Sequence, residues 1–461
     1  MRKYIGDKAF YAMLFAVLIP IVVQSSISNF VNLLDNLMVG SMGTEEMSGV
    51  AIANQLLMIF NICIFGGLSG AGIFTAQFFG SKNEGGVRET FRIKIYIGLL
   101  VLTVFTLVML LFPRQLISLY LTDGEGAGDL EKTLEHGVAY LRIMLIGNIP
   151  FVTTNVYAST VRECGKTVLP MKAGVVAVLT NLVFNYLLIF GRFGFPRLGV
   201  EGAAVATVIS RFVEASIVVI TVHVKKNEYG FLREVYRTLR VRFSLLKNVM
   251  IKGAPLLLNE FLWSLGVAAL LQAYSARGLA VVAALNISGT VNNTFNVVCM
   301  SMGSAVAIIV GQALGAGETD EARDRARKLI AFNVAMGLLF GTIMFIAAPF
   351  IPLLYNTTDT VREHAVSFLR VSAFVMPVFA FLHTCYFTLR SGGKTVITFI
   401  FDSGFMWAVS IPLAFSLVNL TSLPILPLYI LCQATDLIKC VVGYVFLKKG
   451  MWIHNIAAEN A

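Results

Sequence analysis

The sequence predicts an all-α polytopic membrane protein: twelve transmembrane helices in two six-helix lobes related by a pseudo-twofold axis. Three observations carry that prediction. The chain is 57% hydrophobic and only 13% charged over 461 residues, too few charges to cover a soluble surface of that size. Apolar runs long enough to cross roughly 30 Å of hydrocarbon recur along its whole length. The chain also repeats itself. QFFGSKNEGGVRET (Gln77 to Thr90) returns as QALGAGETDEARDR (Gln312 to Arg325) at an offset of 312 − 77 = 235 residues. The same offset pairs Pro20 with Pro255, Asn61 with Asn296 and Tyr120 with Tyr355. HGVAYLR (His136 to Arg142) returns as HAVSFLR (His364 to Arg370) at 364 − 136 = 228, and RECGKT (Arg162 to Thr167) returns as RSGGKT (Arg390 to Thr395). The slip between the offsets falls in the acidic stretch TDGEGAGDLEKTLE, where a surface loop shortened while the helices kept register. A duplicated apolar chain points to a two-lobed machine.

The first span, 10–36, follows Arg2, Lys3 and Lys8 and has no small-residue cleavage site, so it reads as a retained anchor. Its end, NFVNLLDNLMVG, places Asp35 inside the membrane. The second span, 48–79, holds GGLSGAG (Gly66 to Gly72), whose small residues suit close helix packing and lack GxGxxG spacing. Lys82, Arg88, Arg92 and Lys94 follow it. The third span, 93–112, leads to a loop carrying Asp123, Glu125, Asp129, Glu131 and Glu135. The fourth, 138–160, carries Asn155. The fifth, 168–190, carries Asn181 and Asn185 one turn apart, hence on one face. In the sixth, 199–223, Thr207 precedes Arg211 and Glu214, whose i, i+3 spacing suits a self-neutralising pair.

The linker KKNEYGFLREVYRTLRVRFSLLKN alternates Lys225, Lys226, Arg233, Arg237, Arg240, Arg242 and Lys247 with Phe231, Leu232, Val235, Tyr236 and Leu239. That spacing fits an amphipathic helix on the inner leaflet. It divides an N-terminal lobe (1–224) from a C-terminal lobe (248–461), with 225–247 between. The second lobe follows with spans over 251–275, 281–310, 329–350, 365–389, 395–417 and 424–447. Glu260 lies in the seventh, five residues after Pro255; His383 lies deep in the tenth and Asp402 near the start of the eleventh. Asp436 and Lys439 share a face of the twelfth, and Lys448 and Lys449 follow it. Lys and Arg fall on one set of loops, which orients both termini to the cytoplasm.

That asymmetry accounts for the net charge of +10 and leaves no case for nucleic-acid binding. The six cysteines have no metal spacing and the five histidines no HExxH pair. Each Gly-Lys-Thr would need an earlier glycine to make a phosphate loop, where Thr160 and Thr388 stand. Transport energy is therefore expected from an ion gradient. No loop is long enough for a folded soluble domain, and no interfacial cluster of His, Asp or Glu suggests an enzyme. No cofactor is expected.

A charge at the centre of a membrane helix costs about 2.5–3.5 kcal/mol on insertion scales, which makes Asp35 and Glu260 the leading functional candidates. In the repeat alignment Asp35 faces Leu270 and Glu260 faces Ser25, so each lobe has its own acid. Asp35 with Asn155, Asn181, Asn185 and Thr207 offers an oxygen-lined cation site. Sodium is plausible there, through Asp35, Asn181, Asn185 and Thr207; so is a proton carried by a buried carboxyl.

At these residues the chain resembles the multidrug and toxic compound extrusion family of cation-coupled antiporters. The matching features are Asp35 before Met38-Val39-Gly40, the two Gln-x-x-Gly stretches (77–80, 312–315), the Arg-x-x-Gly-Lys-Thr repeats, and NYLLIFGRFGFPRLGVEGAAVATVISR (Asn185 to Arg211). The resemblance implies a V-shaped pair of lobes around a central cavity, rocking between inward- and outward-open forms. It carries Asp35, Asn155, Asn181, Asn185 and Thr207 to an N-lobe cation site and Glu260 to the C-lobe acid of NorM-like members. Two departures favour protons over sodium. Asn185 stands where some members have Asp, and the tenth span has no acid where NorM-like members carry one.

The expected function is export of amphiphilic organic cations across the cell membrane by a monomer, coupled to protons or sodium. Asp35, Glu260, Gln24 and Trp263 are taken as substrate contacts, in a cavity of adaptable Phe and Met side chains. The alternative is a flippase or exporter of a lipid-linked or polysaccharide precursor, which would want a cationic cavity or additional spans.

Overall fold

The apolar runs fold as helices in which every backbone polar group can be satisfied within its own segment, the requirement of a lipid environment. The computed structural model describes residues 4–40, 44–121, 129–355 and 357–460; the side chains of residues 32, 33, 35–37, 40 and 44 also lie outside the described set. The sequence-predicted Asp123 and Glu125, and the side chain of Asp35, fall outside it. Among the described residues twelve helices are long and apolar enough to span a membrane. They are α1 (Lys8–Gly40), α2 (Thr44–Gly80), α3 (Glu84–Leu111), α4 (Leu130–Glu163), α5 (Val168–Phe190), α6 (Gly199–Val224), α7 (Phe243–Ser275), α8 (Leu279–Gly315), α9 (Thr319–Ala347), α10 (Asp359–Ser391), α11 (Thr395–Leu420) and α12 (Ile425–Lys448). Among the described residues there is no strand. All twelve predicted spans are present. Their outer faces are apolar: α3 exposes Leu99, Leu100, Val104, Leu107, Leu110 and Leu111, an anomaly in water and the expected surface in lipid.

The helices form two compact units. One comprises residues 23–75 and 84–247, the other 1–22, 76–83 and 248–461. The first is cored by α2, α4, α5 and α6 around Ala53, Ile117, Leu141 and Ala204. In the second, Phe10 and Leu14 of α1 pack with Met302, Val306, Leu329 and Leu389.

The sequence repeat recurs as local geometry. Prolines sit inside α1 and α4 (Pro20, Pro150) and inside α7 and α10 (Pro255, Pro377). Both Gly-Lys-Thr stretches are turns: Gly165 and Gly393 have φ of 78° and 70°, the left-handed region glycine enters without a Cβ penalty. Each donates its N–H to the arginine three residues back, Arg162 O and Arg390 O, at 2.8 Å. They end α4 and α10 and hold no phosphate-loop geometry. The two Gln-x-x-Gly stretches meet within one unit. A Cβ on Gly80 would lie 2.0 Å from Gln312 O, and one on Gly315 would lie 1.9 Å from Gln77 O, so only glycine allows the helix ends this close. The Gln77 amide is fully used there. Its Nε2 donates to Ser391 O (2.8 Å) and His454 O (3.2 Å), and its Oε1 accepts from the N–H groups of Ile456 (2.7 Å) and Ala457 (3.3 Å). It thus staples the chain after α12, where Trp452 is buried, to the end of α2.

The linker differs from expectation. It is not an amphipathic helix: only Gly230–Leu232 makes a 3₁₀ turn, and turns and extended chain lead to α7. Two causes are visible. Glu234 adopts φ 61°, which interrupts any helix, and the backbone carbonyls are claimed elsewhere. Arg92 of α3 donates to Val235 O (2.8 Å), Arg240 O (3.0 Å) and Glu234 O (3.2 Å), while Tyr229, Phe231, Leu232 and Val235 are buried. Arg92 and Lys94 are therefore not loop cations. Lys94 is fully buried, bonded to Glu163, Ser159 Oγ (3.1 Å) and Thr160 Oγ1 (3.1 Å).

Candidate functional site: two polar cavities

Each unit contains a cavity lined by polar side chains. In the first unit the cavity is about 410 Å³ and lies among α2, α4, α5 and α6. Asn181 and Asn185, one turn apart on α5, are both buried. Asn185 Nδ2 donates to Asn181 Oδ1 (3.1 Å) and Asn181 Nδ2 donates to Thr207 Oγ1 (3.2 Å), which itself donates to Ala203 O (3.0 Å). Three predicted site residues are thus joined in one relay. Asn155 is not in the cavity lining; its Nδ2 donates to Phe151 O of its own helix at 2.8 Å. Gln24 lies over Gly174 of α5, where a Cβ would meet its Nε2 at 2.9 Å.

Arg211 also lines this cavity, and its expected pairing with Glu214 is not formed. The guanidinium reaches across to α4, donating to Asn148 Oδ1 (3.0 Å) and lying over the Phe151 ring (4.8 Å). An arginine stem spans the gap to a neighbouring helix, where a lone pair and a ring face are both on offer. Asn54, Asn61 and Tyr140 complete the polar lining; the Tyr140 hydroxyl donates to Asn54 Oδ1 at 3.4 Å. Asn61 Oδ1 is buried without a hydrogen-bond partner among the described residues. Asn54 and Asn61 are seven residues apart on α2, a same-face spacing that could have flagged both.

In the second unit the cavity is about 490 Å³, within the range of drug-sized sites. Glu260 and Trp263 of α7 line it with Met300, Phe379, Phe387 and Met406. Glu260 makes no hydrogen bond or ion pair among the described residues. Its neighbour Asn259 is buried and bridges to α10 and α11: Nδ2 donates to the Tyr386 hydroxyl of α10 (3.3 Å) and to Asp402 Oδ2 of α11 (3.0 Å), and Oδ1 accepts from Ser403 N (3.2 Å). Around Asp402 the helix widens into π-helical turns, Ile400–Gly404 and Met406–Ser410, a departure that recurs at functional positions. Asp402 Oδ1 faces Lys439 Nζ at 3.5 Å, and Lys439 faces Asp436 at 3.7 Å. The predicted Asp436–Lys439 pair is therefore formed, and Asp402 joins it. His383 leans on Met300 O at 3.2 Å and on the Phe387 ring, a packed histidine at the cavity wall. Among the described residues no three His, Cys, Asp or Glu side chains could hold a metal ion together.

Sequence reasoning singled out Glu260 and passed over Asn259. The repeat held the signal: 259 − 24 = 235 pairs Asn259 with Gln24, and 402 − 174 = 228 pairs Asp402 with Gly174. The same helix crossing thus carries Gln24 on Gly174 in one unit and Asn259 on Asp402 in the other.

Twelve spanning helices enclosing two polar cavities define a polytopic membrane transporter. The MatE family profile matches residues 20–187 and again 255–416, the two matches starting 255 − 20 = 235 residues apart. The chain belongs to the MatE family, whose members are multidrug efflux transporters. It is 23% identical to the probable multidrug resistance protein NorM of Thermotoga maritima, over 94% of this chain and 91% of that one. It is 24% identical to the probable multidrug resistance protein YoeA of Bacillus subtilis, over 93% and 91%. Among solved structures, MATE in the bent conformation superposes with a TM-score of 0.86 at 20% identity, covering 99% of this chain and 98% of that one. An outward-facing MATE transporter of the MOP superfamily gives 0.83 at 19%, covering 98% and 97%.

Proposed function

We propose that this chain is a cation-coupled antiporter that exports amphiphilic organic cations across the cell membrane by alternating access, with both termini cytoplasmic. One observation carries the reading. Glu260 stands without a hydrogen bond or ion pair among the described residues, in a cavity it shares with Trp263, Met300, Phe379, Phe387 and Met406 on one part of the lining and with the Asp402–Lys439–Asp436 cluster on another. A carboxylate free of any ion pair in such a place holds one positive charge at a time, either the coupling ion or the substrate's cationic group. Exclusive occupancy is antiport, and the membrane potential contributes about 2.3 kcal/mol per charge per 100 mV. In the first unit the Asn181–Asn185–Thr207 relay, with Asp35, is the proposed coupling site for a proton or sodium. The cavity acids give the reading its preference over export of a pyrophosphate-linked precursor, which would need an excess of bases.

Dye efflux from everted vesicles, driven separately by a proton and a sodium gradient, tests the proposal. One gradient alone should drive efflux, and Asp35→Asn and Glu260→Gln should each abolish it while the protein remains in the membrane. Efflux that persists with both gradients collapsed, or in both variants, would refute the mechanism.

A further inference from the structure

We propose that the Asp402–Lys439–Asp436 cluster is a second cation subsite of the larger cavity, held at rest by the chain's own ammonium and opened by substrates carrying two positive charges. The inference rests on reading that cavity as the transport site.

The charges are unequal. Glu260, Asp402 and Asp436 all line the cavity, where among the described residues the basic side chains are Lys439 and His383, the latter held against Met300 O; Arg390 lies outside the lining, over the Phe387 ring at 5.1 Å. One ammonium shared between two aspartates leaves half of the aspartate charge unanswered, and Glu260 has no ion pair among the described residues, only the through-space charge of Arg390. Lys439 is also held loosely. Its contacts of 3.5 and 3.7 Å exceed the roughly 2.7–2.9 Å of a charge-assisted hydrogen bond.

The geometry makes exchange inexpensive. Asp436 is on the same helix as Lys439 at i, i+3, so the ammonium stays within reach of it with no helix movement. Asp402 is on α11 and is held independently, its Oδ2 accepting from Asn259 Nδ2 at 3.0 Å. When Lys439 withdraws toward Asp436, the Asp402 carboxylate remains presented to the cavity. The Phe401 and Phe405 rings, whose centroids lie 5.9 and 5.8 Å from Lys439 Nζ, offer the faces that delocalised organic cations prefer. A dication then leaves every acid answered: Glu260 and Asp402 by the ligand, Asp436 by Lys439. A monocation satisfies Glu260 and leaves Lys439 where it is.

Binding of pentamidine, a flexible aromatic bis-amidine, and of its mono-amidine counterpart to the purified full chain in detergent tests this. The native protein should prefer the bis-cation by about thirtyfold or more, the worth of one buried charge contact. Asp402→Asn should reduce that ratio to within about threefold of unity. Lys439→Met should raise affinity for the bis-cation, because the competing ammonium is gone. The proposal is overturned if the native protein binds both ligands alike, if Asp402→Asn keeps the ratio, or if Lys439→Met weakens the bis-cation. Should Asp402→Asn fail to fold, the Lys439→Met result decides alone. Glu260→Gln leaving both affinities at the native value would instead remove the transport-site reading beneath it.

Discussion

Alanine at Gly80 or Gly315 tests whether the paired Gln-x-x-Gly stretches are a packing device. A Cβ at Gly80 would lie 2.0 Å from Gln312 O, so reaching an ordinary 3.4 Å contact requires a retreat of about 1.4 Å. The obstacle is backbone and cannot rotate away, so a helix end must move. Overpacking of this kind costs about 1–3 kcal/mol. A shift of that size also stretches the Gln77 bonds, now 2.7–3.3 Å, beyond hydrogen-bonding range, at about 1 kcal/mol for each one lost. Better helix propensity returns about 1 kcal/mol. With two of the four bonds lost, the net expectation is about 2–4 kcal/mol, or an apparent Tm lower by about 2–4 °C in detergent at a fixed heating rate. Because one displacement relieves both contacts, the double variant should fall little further than the worse single one, a coupling that a double-mutant cycle reads directly. Gly289→Ala, on the same helix as Gly315 with nothing within 4 Å of its added carbon, should melt at or slightly above the native Tm, since only the propensity gain remains. A Gly80→Ala protein with native Tm, or a double variant falling by the full sum, would refute the packing argument.

Three further outcomes follow from buried polar contacts. Arg92→Met removes three hydrogen bonds to the linker, and limited trypsin digestion should then cut between Arg233 and Arg242 several times faster; an unchanged rate would show that apolar burial alone holds the linker. Gln77→Ala releases the chain after α12, so cleavage at Lys448 and Lys449 should accelerate while the linker sites do not change. Lys94→Met should destabilise by about 3–5 kcal/mol, since it leaves Glu163 without its ammonium. Adding Glu163→Gln should recover most of that loss, and a double variant as unstable as the single one would rule out electrostatics as the cause.

The helices were legible because lipid enforces long apolar runs, and the repeat was legible because offsets of 235 and 228 survive at glycine, proline and arginine positions. What escaped was decided by partners in space. The linker's alternation of Phe231, Leu232 and Val235 with basic residues suggested a helix, yet Arg92 takes the carbonyls such a helix would use. Arg211 and Glu214 have pairing spacing, but a longer side chain prefers Asn148 and Phe151 on α4. Asp402 could not be assigned a depth from the sequence, because its place depends on π-helical turns that shift its register toward Asn259 and Lys439.

The repeat says most where the two cavities use it differently. Thr207 and Thr435 are repeat mates at 435 − 207 = 228, as are Arg211 and Lys439, and all four line a cavity. One turn of α6 and the equivalent turn of α12 thus present a hydroxyl and, four residues on, a cation. In the first unit that cation rests on neutral groups, Asn148 and the Phe151 ring. In the second it rests between Asp402 and Asp436, which replace Gly174 and Val208 at the matching positions. Two added carboxylates thus turn a fixed positive charge into an exchangeable one. Introducing an acid at Val208 should draw Arg211 from Asn148, since a carboxylate at i, i+3 outbids a neutral amide. Asp436→Val, which places at 436 the residue found at the matching position 208, should leave Lys439 answered by Asp402 alone. If bis-cation preference survived that second change undiminished, the exchange of Lys439 between two acids would not be its source.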